Sequence, residues 1–362
     1  MVKTGFRVPF AFILVLSALS GSYAQQPRLS NAQLTVRKAA AGLEAELRAV
    51  VAGQAAPGWI GYAVPMIPGD HNMCCNCGSS GLNCCGTCRL EGKASEKVSP
   101  GDSRRVPLEG GKSLFVLFRV EKGQVQRIRT FTEECELDAG GLPFTWLTDV
   151  RPADSTTLLA SMVRVSEAED RAANRLAESA LAALAFHDDT SADRVFEQLS
   201  ATSQPESIRE RASFWLGAAR GRKGYEVLRR MMSDDPSGRV REKVVFALSI
   251  SKEPEAVTAM IEAAKNDKSD RVRGQALFWL GQKAGKKAAG AITDAIENDP
   301  ETEVKKKAVF ALSQLPADEG VPRLIQVART HKNPAVRKQA MFWLGQSKDP
   351  RALAFFEEVL TR

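Results

Sequence analysis

Seven cysteines are the residues of this chain best suited to chemistry, and six of them lie within fifteen residues of one another. The cluster contains two Cys-x-x-Cys pairs. Thiols at such spacing form disulfides in an oxidising compartment or hold a tetrahedral metal ion. The seven are Cys74, Cys75, Cys77, Cys84, Cys85, Cys88 and Cys135.

Disulfides that staple a polar loop are the first expectation for this segment, because such a loop has no core of its own. The alternative is a metal–thiolate site in which Cys74, Cys77, Cys85 and Cys88 are the ligands and His71 is an extra one. The spacer between the two pairs is shorter than zinc ribbons generally use. A third interpretation, thiol redox chemistry, depends on the Cys-x-x-Cys spacing alone. The odd seventh cysteine leaves at least one thiol free, intermolecular or reactive.

Other catalytic patterns do not occur in the sequence. The histidines are His71, His187 and His331, and no Gly-x-Ser-x-Gly motif or phosphate-binding loop accompanies them. A general base would have to be a carboxylate, and none stands out. We therefore expect no catalytic residue, no cofactor and no resident metal ion.

The largest structural feature of the chain is a repeat of 32 residues, which follows the cysteine cluster and runs from about residue 192 to the C-terminus. The phrase Phe-Trp-Leu-Gly begins at Phe214, Phe278 and Phe342, and Val-Phe-Ala-Leu-Ser lies midway between its copies. Each copy spaces its apolar residues at i, i+4, i+7 and i+8, which is one face of a helix, and Asp-Pro or Asn-Pro precedes several of these helices. The pattern predicts an α-solenoid of about six helix pairs plus a final helix.

The order Asp/Asn-Pro, Val-Arg, Ala, Leu-Gly resembles the short bacterial HEAT repeats called lyase-type HEAT-like repeats, over roughly residues 155–362. The resemblance implies a helical surface that holds a partner. Bilin lyases have similar repeats, and so does a hydroxylase whose His-Glu dipeptides hold two iron ions. Here the histidines are followed by Asn72, Asp188 and Lys332, so that metal site is not expected. A lyase or an oxidoreductase of HEAT-repeat type remains an alternative function.

One phenylalanine in each repeat lies at a helical position that points well over about 100° away from the core face. We predict that these rings form a strip that binds a protein or peptide partner; the alternative is that each ring wedges between neighbouring helices. Trp215, Trp279 and Trp343 are expected to fill the core opposite Ala247 and Ala311. The phenylalanines are Phe214, Phe246, Phe278, Phe310 and Phe342.

Upstream of the repeats, the sequence predicts an amphipathic helix and linker over residues 25–56, with the helix itself over 30–52. A β-rich domain that contains the cysteine cluster follows at 57–152, and the solenoid occupies 153–362. The predicted fold class is thus α+β multidomain, with a small cysteine-rich β domain before a C-terminal α-solenoid of HEAT-like hairpins. Its predicted strands are 59–64, 113–120, 124–130 and 144–148.

Residues 1–24 have the pattern of a secretory signal peptide: a basic start with Lys3 and Arg7, an apolar run, and Ser22-Tyr23-Ala24 before the cut. We therefore expect an exported protein, periplasmic or extracellular, with no membrane span after cleavage. The formal net charge of +7 is spread among interleaved acids. Nucleic-acid binding requires a concentrated basic patch and is not expected.

Overall fold

The computed structural model describes residues 26–69, 88–91, 111–163 and 171–361. Within these ranges the chain forms eight strands and fourteen α-helices. The strands are β1 (Arg28–Ser30), β2 (Gln33–Lys38), β3 (Gly58–Pro65), β4 (Cys88–Arg89), β5 (Ser113–Glu121), β6 (Gln124–Thr132), β7 (Glu136–Asp138) and β8 (Pro143–Thr148). The helices are α1 (Leu43–Gly53), α2 (Pro152–Met162), α3 (Arg171–Ala185), α4 (Thr190–Leu199), α5 (Glu206–Ala219), α6 (Gly221–Asp234), α7 (Gly238–Ile250), α8 (Ala256–Asn266), α9 (Asp270–Lys283), α10 (Ala289–Asn298), α11 (Thr302–Ser313), α12 (Ala317–Thr330), α13 (Pro334–Gly345) and α14 (Pro350–Leu360).

The first part of the chain is built around a five-stranded sheet of order β2-β8-β3-β5-β6, beside a three-stranded sheet of order β1-β7-β4. The larger sheet buries both faces. Tyr62 and Phe118 belong to the core shared with the helices, whereas Trp59, Phe115 and Trp146 form a second core with residues of the smaller sheet. Burial on both faces explains why β5 is a nearly continuous apolar run rather than an alternating one.

The prediction of one helix over residues 30–52 is wrong in its first half. Residues 28–30 and 33–38 are strands, and β2 pairs in parallel with β8 along its whole length. The helix begins only at Leu43, after Gly42, whose φ of 93° lies in a region that favours glycine. Val36 and Ala40 continue the helical spacing of Leu43 and Leu47, which is why the sequence predicted a helix here, but Val36 shares one face of strand β2 with Leu34. The β domain therefore begins near Arg28 rather than at residue 57.

The remainder of the described chain is a stack of helix pairs, as the 32-residue period predicted. From α2 onward the helices form six successive pairs, followed by α14. The second helices, α5, α7, α9, α11 and α13, pack extensively against one another, whereas successive first helices touch much less. A stack whose helices are closer together in one layer curves toward that layer. We call the layer of second helices the inner layer.

Glycines allow the close approach of the inner helices. A Cβ atom at Gly217 would lie 2.2 Å from the carbonyl oxygen of Ala247, and one at Gly281 would lie 2.8 Å from the backbone of Ala311. Phe-Trp-Leu-Gly helices thus alternate with Phe-Ala-Leu-Ser helices, because the glycine of one packs on the alanine of the next. In the third copy Gly345 has nothing within 4 Å of such an atom. This pairing accounts for the 64-residue spacing of the identical phrases.

Candidate partner-binding surface

A continuous line of aromatic rings crosses the inner layer from the end of α3 to α13, and we call it the aromatic strip. Successive helices contact one another through two alternating kinds of ring pair. Phe214 and Phe246 stack at 6.2 Å with 19° between their planes, and Phe278 and Phe310 at 5.7 Å with 12°. Between these pairs a tryptophan bridges two helices. The bridges are Phe186–Trp215 at 5.9 Å, Phe246–Trp279 at 5.0 Å and Phe310–Trp343 at 5.0 Å.

The rings of the aromatic strip are accessible to solvent in part. Phe214 is 38 % exposed and Phe342 is 54 % exposed, and the three phenylalanines between them are half-buried. Because these side chains point away from the first helices, the strip lines the concave side of the stack. The structure therefore brings all five predicted phenylalanines together on one surface. Partner binding by that surface remains a prediction.

The tryptophans do not occupy the place that the sequence suggested. Trp215, Trp279 and Trp343 are half-buried and belong to the aromatic strip, beside the core rather than inside it. The indole N–H groups of Trp279 and Trp343 are buried, and no described residue accepts a hydrogen bond from them. The helical wheel misled because this position lies between the core face and the phenylalanine row, where one ring contacts both.

The turns within the helix pairs are held by buried ion pairs that sequence reasoning missed, each formed with the second helix of the preceding pair. In each pair, Nε and Nη2 of the arginine donate to both oxygens of an aspartate 26 residues later, at 2.7–3.1 Å. We call this series the Arg–Asp ladder. Its pairs are Arg209–Asp235, Arg241–Asp267 and Arg273–Asp299.

Each aspartate of the ladder has further partners. The carboxylate of Asp235 also accepts from the backbone N–H of Ser237 at 2.9 Å, and its carbonyl oxygen accepts from Arg241 Nη1 at 2.8 Å. The hydrogen bonds with Asp235 are the main cause of the raised pKa of Arg209. Bidentate pairing leaves few polar atoms unsatisfied, which is the condition under which a buried ion pair is tolerated.

In the next repeat both members of the ladder change together. Lys305 replaces the arginine and His331 replaces the aspartate. Lys305 Nζ donates to the carbonyl oxygen of Ile296 at 3.0 Å, and His331 Nε2 contacts the same oxygen at 3.0 Å. His331 Nδ1 accepts from the backbone N–H of Asn333 at 3.0 Å, which is the bond that the aspartate carboxylates accept elsewhere. This turn is thus closed by hydrogen bonds to backbone atoms instead of an ion pair.

A second buried polar chain joins the β domain to the solenoid, and we call it the joint. Tyr62 of β3, Ser155 of α2 and His187 of the turn after α3 are fully buried. His187 Nδ1 donates to the carbonyl oxygen of Ala183 at 2.7 Å, so Nε2 accepts from the Ser155 hydroxyl at 2.7 Å. Ser155 Oγ in turn accepts from the Tyr62 hydroxyl at 2.7 Å. Backbone hydrogen bonds from Ile67 to Phe186 and from Asp188 to Pro65 close the joint on both sides.

A serine hydroxyl hydrogen-bonded to a histidine is the arrangement of an activated nucleophile, so the joint is also a candidate catalytic pair. Burial, with a smaller contribution from the neighbouring Arg220, lowers the pKa of His187 to about 4, so the ring is neutral near pH 7. However, neither Ser155 nor His187 has exposed surface, so a substrate cannot reach the hydroxyl. The pair therefore serves packing between domains. No motif could have revealed it, since its members come from three separate elements.

The cysteines are described only in part. Cys74, Cys75, Cys77, Cys84 and Cys85 lie outside the described residues, so their predicted pairing or metal binding is not tested. Cys88 begins β4, and the register pairs it with Leu137, two residues beyond Cys135. The Cys135 sulfur takes part in a disulfide bond and is 1 % exposed, among apolar side chains. A sulfur so enclosed is suited to structure rather than to reaction with a solute.

Two further properties concern the described ranges alone. Their histidine, cysteine, aspartate and glutamate side chains include no group of three that could hold a metal ion. None of their helices combines the length and the apolar character that crossing a bilayer requires.

The sequence matches the HEAT repeat family over residues 192–281 and 290–362. These segments coincide with the stacked pairs from α4 to α14. HEAT repeats thus make up this part of the chain, and a small sheet domain precedes the helical stack. No curated protein matches the sequence.

Several solved structures are similar to part of the chain. The complex of CpcE and CpcF of phycocyanin lyase from a Nostoc species is 24 % identical, covering 44 % of this chain and 100 % of that chain, with a TM-score of 0.34. A condensin subcomplex from S. pombe is 16 % identical, covering 53 % of this chain and 28 % of that one, with a TM-score of 0.35. Human deoxyhypusine hydroxylase is also 16 % identical, covering 57 % and 97 %, with a TM-score of 0.25. Similarities at these scores do not bear on what this chain does.

Proposed function

We propose that this protein is an exported, non-catalytic scaffold that binds a protein or peptide along the aromatic strip. The observation that carries the proposal is the unbroken contact of half-exposed rings across the inner layer, from Phe214 to Phe342. Contiguous exposed apolar surface of this kind marks interaction sites, and solenoids use their long concave surfaces for binding.

Export is part of the proposal and depends on the N-terminal sequence pattern, which lies outside the described residues. The disulfide of Cys135 supports it, because disulfides persist in oxidising compartments. The same disulfide favours a stapling role for the cysteine segment over a metal site.

The proposal predicts that rings in the middle of the strip contribute most of the binding energy. Buried aromatic anchors in an interface are each worth about 2 kcal/mol or more, so replacing Phe246 and Phe278 by serine should weaken partner binding by roughly a thousandfold. Matched control substitutions are Val257→Ser and Ile261→Ser, which change two half-buried apolar residues of α8. This helix belongs to the layer of first helices, which we call the outer layer.

The measurement introduces a photo-crosslinking amino acid at position 310 of the full chain. The protein is expressed in the organism that naturally produces it. A discrete adduct is expected at this position and not at an outer-layer position such as 258. The adduct should disappear with the two serine substitutions in the strip and persist with the two in α8. Equal adducts at both positions, or an adduct that survives the loss of Phe246 and Phe278, would contradict the proposal. Circular dichroism of each variant checks that the helices remain folded.

A further inference from the structure

The two edges of the aromatic strip differ in chemistry. One or two helical turns before the phenylalanines, toward the helix N-terminus, the inner helices carry mostly charged residues. One turn after the phenylalanines, they carry uncharged ones. Seven cations and three carboxylates lie on the N-terminal edge. The cations are Arg211, Arg239, Lys243, Arg271, Lys306, Lys307 and Lys338, and the carboxylates are Glu210, Glu242 and Glu303.

Ion pairs within the protein occupy only part of this charge. Two of the three carboxylates are already paired, Glu210 with Arg239 at 3.4 Å and Glu303 with Lys306 at 3.0 Å. Four exposed cations, one on each of the inner helices α7, α9, α11 and α13, form no ion pair within the described residues. These four, which we call the basic edge, are Lys243, Arg271, Lys307 and Lys338. The basic edge also lies beside helix N-termini, whose partial positive charge adds to its own.

Lys307 shows how the basic edge is laid over the strip. Its side chain extends from α11 to α9, where Gly274 leaves room for it: a Cβ atom at Gly274 would lie 2.5 Å from Lys307 Cδ and 2.8 Å from Nζ. The ammonium group therefore lies against α9, although the Lys307 side chain as a whole is exposed.

The opposite edge presents carboxamides at the 32-residue period. Gln282, Gln314 and Gln346 are exposed on three successive inner helices, and Gln282 Nε2 donates to Gln314 Oε1 at 3.1 Å. A carboxamide offers both a donor and an acceptor, which are the groups that an extended peptide backbone presents. We call these residues the glutamine edge.

The orientation of the rings distinguishes between two classes of anionic polymer. Single-stranded nucleic acid binds by stacking its bases on open aromatic faces. Here four of the five phenylalanine rings each have one face covered by a neighbouring ring, since Phe214 lies on Phe246 and Phe278 on Phe310 in nearly parallel planes. The strip therefore offers mainly ring edges and the grooves between rings, which suit aliphatic or aromatic side chains of a peptide.

We infer that the strip binds an extended, acidic peptide segment of another protein, an inference that rests on the proposed function. Apolar side chains of the segment lie against the rings, its carboxylates meet the basic edge, and its backbone runs along the glutamine edge. Packed helices lie about 8–10 Å apart, and a chain in the extended polyproline II conformation rises about 3.1 Å per residue with three residues per turn. Each repeat thus spans about three residues of the segment, and every third side chain returns to the same face, so an apolar residue at every third position with an acid beside it fits best.

The test is fluorescence anisotropy of labelled synthetic peptides on the purified full chain. The first peptide has the repeating unit Leu-Asp-Ser over about fifteen residues, which spans the five inner helices. Two others carry Asn or Lys in place of Asp, and oligothymidylate of similar length is the fourth probe. We expect the acidic peptide to bind about tenfold or more tightly than the Asn peptide, with a preference that falls as salt rises.

Two matched triple variants test whether the preference for the acidic peptide comes from the basic edge or from the net charge of the protein. Lys243→Glu, Lys307→Glu and Lys338→Glu together should abolish the preference for the acidic peptide. Lys252→Glu, Lys265→Glu and Lys348→Glu change the net charge equally at exposed positions off the strip, and they should leave the preference in place. An equal effect of both triples would overturn the inference, because attraction to the whole basic protein would then explain the binding.

The remaining outcomes separate this inference from the proposed function. If the Asn peptide binds as tightly as the acidic one, and Phe246→Ser with Phe278→Ser abolishes both, the strip binds peptides but the acidic partner is wrong. If the oligonucleotide binds more tightly than any peptide, the peptide class is wrong. If no probe responds to the serine substitutions, both the inference and the use of the strip fail.

Discussion

The Arg–Asp ladder and the joint solve the same problem, a polar link between packed elements without water, by opposite means. The ladder uses full charges, is repeated every 32 residues, and connects neighbouring turns of the stack. The joint is neutral, occurs once, and connects three elements, β3, α2 and the turn after α3. A repeated link can depend on a charge pair because each copy supplies both partners. A single link between unlike domains avoids burying any net charge.

The largest effect is expected from breaking one pair of the ladder. Replacing Asp235 by alanine leaves Arg209 buried without its carboxylate, and removing one partner of a buried pair costs about 3–5 kcal/mol. The adjacent Asp234 is exposed, so Asp234→Ala should change the free energy of unfolding by no more than about 0.5 kcal/mol. Urea denaturation, together with hydrogen exchange of α5 to α7, measures both. Similar values for the two variants would show that the ladder does not hold the turns.

A fall in pH from 7.5 to 5 should weaken the joint and leave the ladder intact. His187 has a pKa of about 4 in the folded protein, below the ordinary 6.5, so the unfolded chain binds more protons. Its contribution is fully present above pH 6.5 and is lost as the pH falls from there toward 4. The loss amounts to about 2 kcal/mol at pH 5. Arg220 and Asp189 are the charged groups that face the ring, and they act on its pKa in opposite directions.

The control for this effect is His187→Gln, which keeps a hydrogen-bonding side chain and removes the titration. Its free energy of unfolding should change less between pH 7.5 and pH 5 than that of the natural chain. An unchanged pH dependence in this variant would assign the effect to other groups.

The smallest effect is expected at the outer end of the joint. Tyr62→Phe removes the hydroxyl that donates to Ser155 while the ring still fills its place, and the loss of one neutral hydrogen bond costs about 1 kcal/mol. Tyr225 has a buried ring whose hydroxyl makes no hydrogen bond to the described residues, so Tyr225→Phe should be nearly neutral. Thermal unfolding of the two variants compares them directly. A neutral Tyr62→Phe would mean that Ser155 and His187 hold the joint without the tyrosine.

The features that repeat along the chain could be predicted from the sequence more fully than the features that occur once. The helix pairs and the phenylalanine row were predictable, because a 32-residue period repeats the same physical requirement and makes it visible. The arginine of each Val-Arg and the aspartate of each turn were visible too, but their pairing was not. They lie 26 residues apart on different elements, so no helical wheel brings them together.

The β domain shows where sequence reasoning fails. Val36 and Ala40 have the spacing of a helical stripe, whereas Leu34 and Val36 have that of a strand. The parallel partner that decides between the two, β8, is more than a hundred residues away. Tyr62, Ser155 and His187 meet through contacts that occur once and therefore leave no pattern. The tryptophans were misplaced because each ring serves both the core and the aromatic strip.

The end of the ladder at Lys305 and His331 has a mechanical consequence. From Arg209 to Asp299 each guanidinium forms an ion pair with the turn of the next repeat. This stretch of the stack therefore resists extension along its axis. Beyond it, the last two hairpins are held at their turns by hydrogen bonds to backbone atoms. Under an end-to-end pull we expect the C-terminal hairpins to separate first, while the repeats from α5 to α10, which the ladder links, stay closed. The solenoid therefore resists extension unequally along its length. The C-terminal hairpins, as the weaker part, determine the force at which the stack begins to open.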